Sequence, residues 1–196
     1  MAIYKTFSAD AREVLKEGGV AVIPTDTLYG IVGSALNRKT IERIYKLRRR
    51  TPTKPMIVLI SSPNDLKKFG VVLDDFSRKI LRKVWPGPIS VVLPLRGEKF
   101  RYLHRGTHTL AFRLPRPRGL RALLKTTGPL AAPSANPQGR LPATTVAAAM
   151  RYFKDQVEFY VDAGRLTSKP SVLIQPQGDK IRLLRGTEKQ LHALVR

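Results

Sequence analysis

The sequence predicts an α/β fold, a single domain with a mixed β-sheet flanked by helices, on three observations. Short apolar runs rich in β-branched residues alternate with segments whose apolar residues recur at helical spacing. Three strand-like runs follow one another near the C-terminus, which favours a mixed sheet over a purely parallel one. No repeat or low-complexity linker interrupts the 196 residues, which are enough to bury a core without staples, so one domain over 1–196 is expected.

Each element has a local reason. Ser8 is placed to cap a helix over "ADAREVLKE", which Gly18 and Gly19 end. "VAVIP" reads as a buried strand. "KTIERIYKL" sets Ile41, Ile44 and Tyr45 on one helical face. "PMIVLIS" is a second buried strand. "DDFSRKILRKVW" carries Phe76, Ile80 and Val84 at helical spacing, with Leu81 beside them. "ISVVLPL" and "TLAFRLP" read as strands. "RGLRALLKTT" is a helix stopped by Gly128 and Pro129, and "TTVAAAMRYF" a helix starting near Thr144 or Thr145. "VEFYVDAG", "SVLIQ" and "IRLLRG" read as strands, and "EKQLHALV" as the last helix.

Composition narrows the function. Lys and Arg outnumber Asp and Glu by 36 to 14, a formal charge of +22. That balance favours polyanions such as RNA, nucleotides and phosphates, or else reflects a generally basic proteome. The absence of cysteine excludes disulfides and thiolate metal sites. No apolar run reaches about 18 residues, and the first residues lack the apolar stretch of a signal peptide. A soluble, cytoplasmic protein with no membrane partner is expected.

Familiar phosphate-loop, dinucleotide and serine-elbow motifs are missing. His104 and His108 are four apart, but their stretch carries glycine and does not read as helix, so no metal role is expected for them. Four other stretches carry chemistry. In "PSANPQG" the prolines push Ala132 and Asn136 out of the α region. An extended 132–136 would aim Ser134 and Asn136 to one side; the alternative is a turn with two solvated side chains. Lys46 and Arg48 would be about 200° apart on a continuous helix. If the helix ends there, they can converge on phosphate oxygens; otherwise they form a solvated basic end. "PTDTLYG" places Thr25, Asp26 and Thr27 beyond a strand's carboxyl end, where α/β proteins bind ligands, or as a hydroxyl-capped turn. In "TLAFRLP", Thr109, Ala111 and Arg113 share one strand face. A half-buried Arg113 needs an anion: a substrate carboxylate, Asp26 or Asp162.

"PTDTLYGI", "KLR…KP", "WPGP", "TLAFRLP", "PSANPQG" and "LLRG", taken in order over about 18–186, resemble the YrdC/Sua5 family of threonylcarbamoyl-AMP synthases. The resemblance implies a twisted α/β sheet with a concave basic cavity, in the short, single-domain form. It implies that ATP, L-threonine and bicarbonate become threonylcarbamoyl-AMP and pyrophosphate. That product supplies a separate transferase complex, which modifies adenosine 37 of ANN-reading tRNAs. Mg²⁺ is expected on the ATP phosphates, with protein ligands unknown. Lys46 and Arg48 correspond to phosphate-holding, catalytic residues. Lys54, Thr109, Asn136, Thr144 and Arg185 correspond to further ATP contacts, with Arg49 or Arg50 as alternatives to Lys54. Thr27, Arg113, Ser134 and Ser171 correspond to the threonine side. The segment from Arg48 to Lys54 is about two residues longer than the common pattern. Leu59 stands where some members have a histidine, and "SVLIQ" lacks a second threonine and a closing aspartate. These departures admit a YciO-like paralogue that mainly binds double-stranded RNA or tRNA.

Overall fold

The computed structural model describes residues 2–195. Its strands are β1 (Ala2–Tyr4), β2 (Ala21–Pro24), β3 (Tyr29–Ser34), β4 (Ile57–Leu59), β5 (Ile89–Pro94), β6 (Thr109–Arg113), β7 (Leu130–Ala131), β8 (Phe159–Val161), β9 (Val172–Gln177) and β10 (Lys180–Arg185). They form one sheet in the order β1-β8-β2-β3-β7-β4-β6-β5-β9-β10. Parallel pairs (β1 with β8, β2 with β8, β4 with β6, β5 with β9) mix with antiparallel ones, as the C-terminal run of strands predicts.

Alternation along the strands feeds two cores. Val22, Tyr29, Ile31 and Val58 point into the larger one, with Ile41 and Ile44 of α2 (Arg38–Leu47) and Ile80 of α3 (Asp75–Val84). Ala21, Ile23, Val32 and Leu59 point into the smaller one. It is closed by Ala11 and Leu15 of α1 (Ala9–Lys16) and by Leu120, Leu123 and Leu124 of α5 (Arg118–Thr127). A short α4 (Arg101–His104), α6 (Val146–Phe153) and α7 (Glu188–Val195) complete the α-helices of the described residues, and a 3₁₀ helix spans Pro63–Phe69.

The caps are local. Ser8 Oγ accepts from the Ala11 amide at 3.2 Å, Asn37 Oδ1 from Thr40 at 3.2 Å, and Thr145 Oγ1 from Ala148 at 3.1 Å. α2 stops because Arg49 takes a left-handed φ of 47°, a conformation no helix continues. Gly33 lets α2 lie close on β3: a Cβ there would sit 2.3 Å from Thr40 Cγ2.

Five elements went unread in the sequence, among them the 3₁₀ helix Pro63–Phe69, which is too tight and short for a 3.6-residue period to show. β1 and β7 have three and two residues, too few for a pattern. β3 is interrupted by Gly30 and Gly33, which weaken its strand signal. α4 is a single turn inside the glycine-bearing stretch.

Candidate functional site

A cavity of about 470 Å³ opens where β3, β4, β5, β6, β9 and β10 meet the β2–β3 turn and the segments 48–55 and 132–134. Among the described residues four arginines line it, Arg48, Arg50, Arg113 and Arg185, and no Asp or Glu does. Thr25, Thr27, Thr107, Thr109, Ser134 and Ser171 add hydroxyls to a largely apolar wall.

Arg48 follows directly from the end of α2. Still in αR geometry, it continues the buried face of Ile41, Ile44 and Tyr45, so its side chain points inward and is 4% exposed; the helix breaks at Arg49. Its Nε donates to the Asn136 carbonyl at 2.9 Å, and Nη2 donates to Ser134 Oγ at 3.3 Å and Asn136 Oδ1 at 3.5 Å. Nη1 is buried without a partner. All these acceptors are neutral. Burial, reinforced by the charge of Arg50, pulls Arg48 down to about 10. Keeping it charged there costs on the order of 3 kcal/mol, the kind of deficit an anionic ligand removes. Arg50 donates to the carbonyls of Lys54 and Pro55, and Arg185 to Ser171 O and Oγ. Burial lowers both below the ordinary arginine range.

Arg113 sits across the cavity at the end of β6, also 4% exposed. Nη1 donates to Thr27 Oγ1 at 3.2 Å and Nη2 to Thr25 Oγ1 at 3.3 Å. Asp26 Oδ1 lies 3.3 Å from Nη2, close enough for an ion pair but not aligned as a hydrogen bond. Asp26 is thus its internal counter-ion, while Asp162 pairs with Lys5. Desolvation pulls Arg113 down, Asp26 pulls it up, and Arg185 opposes it. The arginine is poised for a second carboxylate.

Of the residues singled out in the sequence, Thr27, Arg48, Thr109, Arg113, Ser134, Ser171 and Arg185 line this cavity. Lys46 stays on the exposed side of α2, and Lys54 is exposed; neither is part of the lining. Lys46 and Arg48 therefore do not converge, although the helix ends where that required. Thr144 lies outside the lining and uses its carbonyl to accept from Leu166. Asn136 is buried behind the wall, donating to the carbonyls of Pro137 and Arg140. The segment 132–136 is not extended throughout. The Asn136 amide reaches Ser134 O at 2.9 Å and closes a three-residue turn. The prolines constrain Ala132 and Asn136 but leave Ala135 free to make it. Ser134 and Asn136 still share a partner, the Arg48 guanidinium.

Arg50 was one of three alternatives in the sequence, and the cavity takes it over Arg49 and Lys54. The apolar wall from Pro142, Leu173 and Leu184 was not foreseen; alternation in β9 and β10 carried that signal. Glu98, His104 and His108 have ligand atoms within 4.8 Å of one another. However, His104 Nδ1 accepts from the Gly106 and His108 amides, which leaves its proton on Nε2 and no free lone pair.

The Sua5/YciO/YrdC family profile, described as telomere recombination, matches residues 13–187. A Methanocaldococcus jannaschii protein named putative threonylcarbamoyl-AMP synthase is 31% identical, over 94% of this chain and 87% of that protein. A Marinobacter nauticus threonylcarbamoyl-AMP synthase is 33% identical, over 84% and 88%. The structure of Pyrococcus abyssi Sua5 complexed with L-threonine superposes with a TM-score of 0.89 at 25% identity. It covers all of this chain, which spans 61% of that longer one. E. coli YciO shares the fold, with a TM-score of 0.79 at 23% identity over 90% of this chain and 86% of its own. The chain belongs to the Sua5/YciO/YrdC family.

Proposed function

We propose that this chain makes L-threonylcarbamoyl-AMP and pyrophosphate from ATP, L-threonine and bicarbonate. One observation carries the reading: Arg48, a buried cation facing only neutral acceptors, stands with Arg50 and Arg185 in a cavity without a carboxylate. Such a site is built for a phosphate chain. Relatives that match most of this chain carry the synthase name. The likeness to YciO speaks to fold alone, so nothing favours the RNA-binding paralogue over the synthase.

In this mechanism the threonine amine takes up CO₂ from bicarbonate as a carbamate. The carbamate oxygen attacks the α-phosphorus of ATP, and pyrophosphate leaves. The protein forms no covalent bond. Arg48, Arg50 and Arg185 neutralise the phosphates, and Lys46, on its flexible stem at the end of α2, reaches those that project outward. Arg113, held by Thr25 and Thr27, receives the threonine carboxylate, while Ser134 and Ser171 supply hydroxyls between the two halves. Thr109, Asn136 and Thr144 serve the nucleotide, Asn136 by holding Arg48. Magnesium enters with ATP; the lining has no carboxylate to ligate it, so no step runs through a protein-held metal.

The product would feed a transferase that modifies tRNA. The basic surface suits RNA, and the setting we propose is cytoplasmic. Among the described residues no helix is long and apolar enough to cross a membrane. Incubation with ATP, threonine and ¹³C-bicarbonate tests the reading: the label should enter an adenylate, and an unlabelled nucleotide pool would refute it.

A further inference from the structure

A second cavity, of about 440 Å³, lies between α2, the α4 segment and the loop at Pro52 and Thr53. Arg38, Lys99, Arg101 and Arg105 line it, against one acid, Glu98. Arg38 opens α2, whose first turn contains no acidic residue, so the positive end of the helix dipole adds to the field. Arg105 packs its guanidinium over the Tyr45 ring at 4.0 Å and pairs with Glu42 at 3.0 Å, which fixes it in place. Arg101 pairs with Glu98 at 3.1 Å in an exposed contact of little strength. Lys99 and Arg38 have no ion-pair partner among the described residues. Glu42 and Glu98 balance two of the four cations, which leaves the hollow with the uncompensated charges of Arg38 and Lys99, and an anion between them would be held by all four.

We propose that this hollow is a second phosphate site, distinct from the cavity at Arg48 and independent of the function proposed for it. Its ligand chemistry is a phosphate group, free as pyrophosphate or carried on an RNA backbone. Arg105, half-buried and held by Glu42 and Tyr45, forms the fixed floor, and Arg38, Lys99, Arg101 and Thr53 form the exposed rim.

The test uses the full chain and the exposed rim pair as Lys99→Glu with Arg101→Glu. Lys79→Glu with Lys83→Glu on α3 makes the same change in net charge on other exposed residues. Calorimetry with pyrophosphate and anisotropy with a fluorescent RNA duplex are read for all three proteins. If the source is RNA, the rim variant binds duplex at least about tenfold more weakly, and its log–log salt slope falls by about two. If the source is free phosphate, wild type takes up two pyrophosphates and the rim variant one. The proposal is overturned if the rim variant matches wild type in both, or if the α3 variant loses as much as the rim variant.

Discussion

Arg48 Nε lies 2.9 Å from the carbonyl oxygen of Asn136, 88 residues further along the chain. This bond ties the end of α2 to the turn after β7. It holds the buried Arg48 guanidinium of the cavity in place without neutralising it. Four consequences can be measured.

Replacing Arg48 with methionine removes the cation while keeping much of its volume. The account expects pyrophosphate release to fall by about 10² or more, the cost of losing one charge-stabilising donor in a dry site. The variant should fold, because a buried cation without a counter-ion adds little stability. Melting curves with and without ATP check this: wild type should gain stability from ATP and Arg48→Met should not.

Arg113→Lys keeps the charge but loses the fork that reaches Thr25, Thr27 and a carboxylate together. The KM for threonine should rise at least about tenfold, while protection of the fold by ATP stays. Steady-state kinetics varying threonine at saturating ATP measures it.

Lys46 is exposed and outside the lining, so its contribution should be uniform binding of outer phosphates. Lys46→Ala should raise the KM for ATP by more than it lowers kcat, and Lys46→Arg should restore most of the loss. A fall in kcat as large as that of Arg48→Met would place Lys46 at the reacting phosphate instead.

Asp65 concerns stability, away from the cavity. Burial pushes its carboxyl up, but bonds from Lys68 and from the Ser61 hydroxyl and amide outweigh this, so it lies below the ordinary carboxylate range. A depressed folded-state value means stabilisation above the unfolded value, near pH 4, lost as pH falls through the folded one. Asp65→Asn should therefore lower stability by about 1–3 kcal/mol at pH 7. The gap between variant and wild type should narrow as pH falls below about 4, as thermal unfolding at pH 7 and at successively lower pH would show.

Much of the fold was legible because its causes are local. Ser8 and Thr145 cap the helices that follow them, and Ile41, Ile44 and Tyr45 form the buried face their spacing implies. The face of β6 that carries Thr109, Ala111 and Arg113 was readable for the same reason, since a strand alternates. The illegible parts depend on distant partners. Lys46 points outward and Arg48 inward because Arg48, still in αR geometry, continues the buried face of Ile41, Ile44 and Tyr45; what no periodicity announces is the left-handed Arg49 that ends α2 just after it. The turn at Ala135 is set by the amide of Asn136 and by the pull of Arg48 on its carbonyl. Asp26 as counter-ion to Arg113 required the β2–β3 turn to fold over β6, so the sequence could offer it only beside Asp162.

The most direct test of the central claim, that the acid-free arginine cavity joins an amino-acid carbamate to ATP, is pyrophosphate release by the wild-type protein. The account predicts release that needs ATP, threonine and bicarbonate together and stops when any one is omitted. Release from ATP alone at the same rate, or none with all three present, would contradict it.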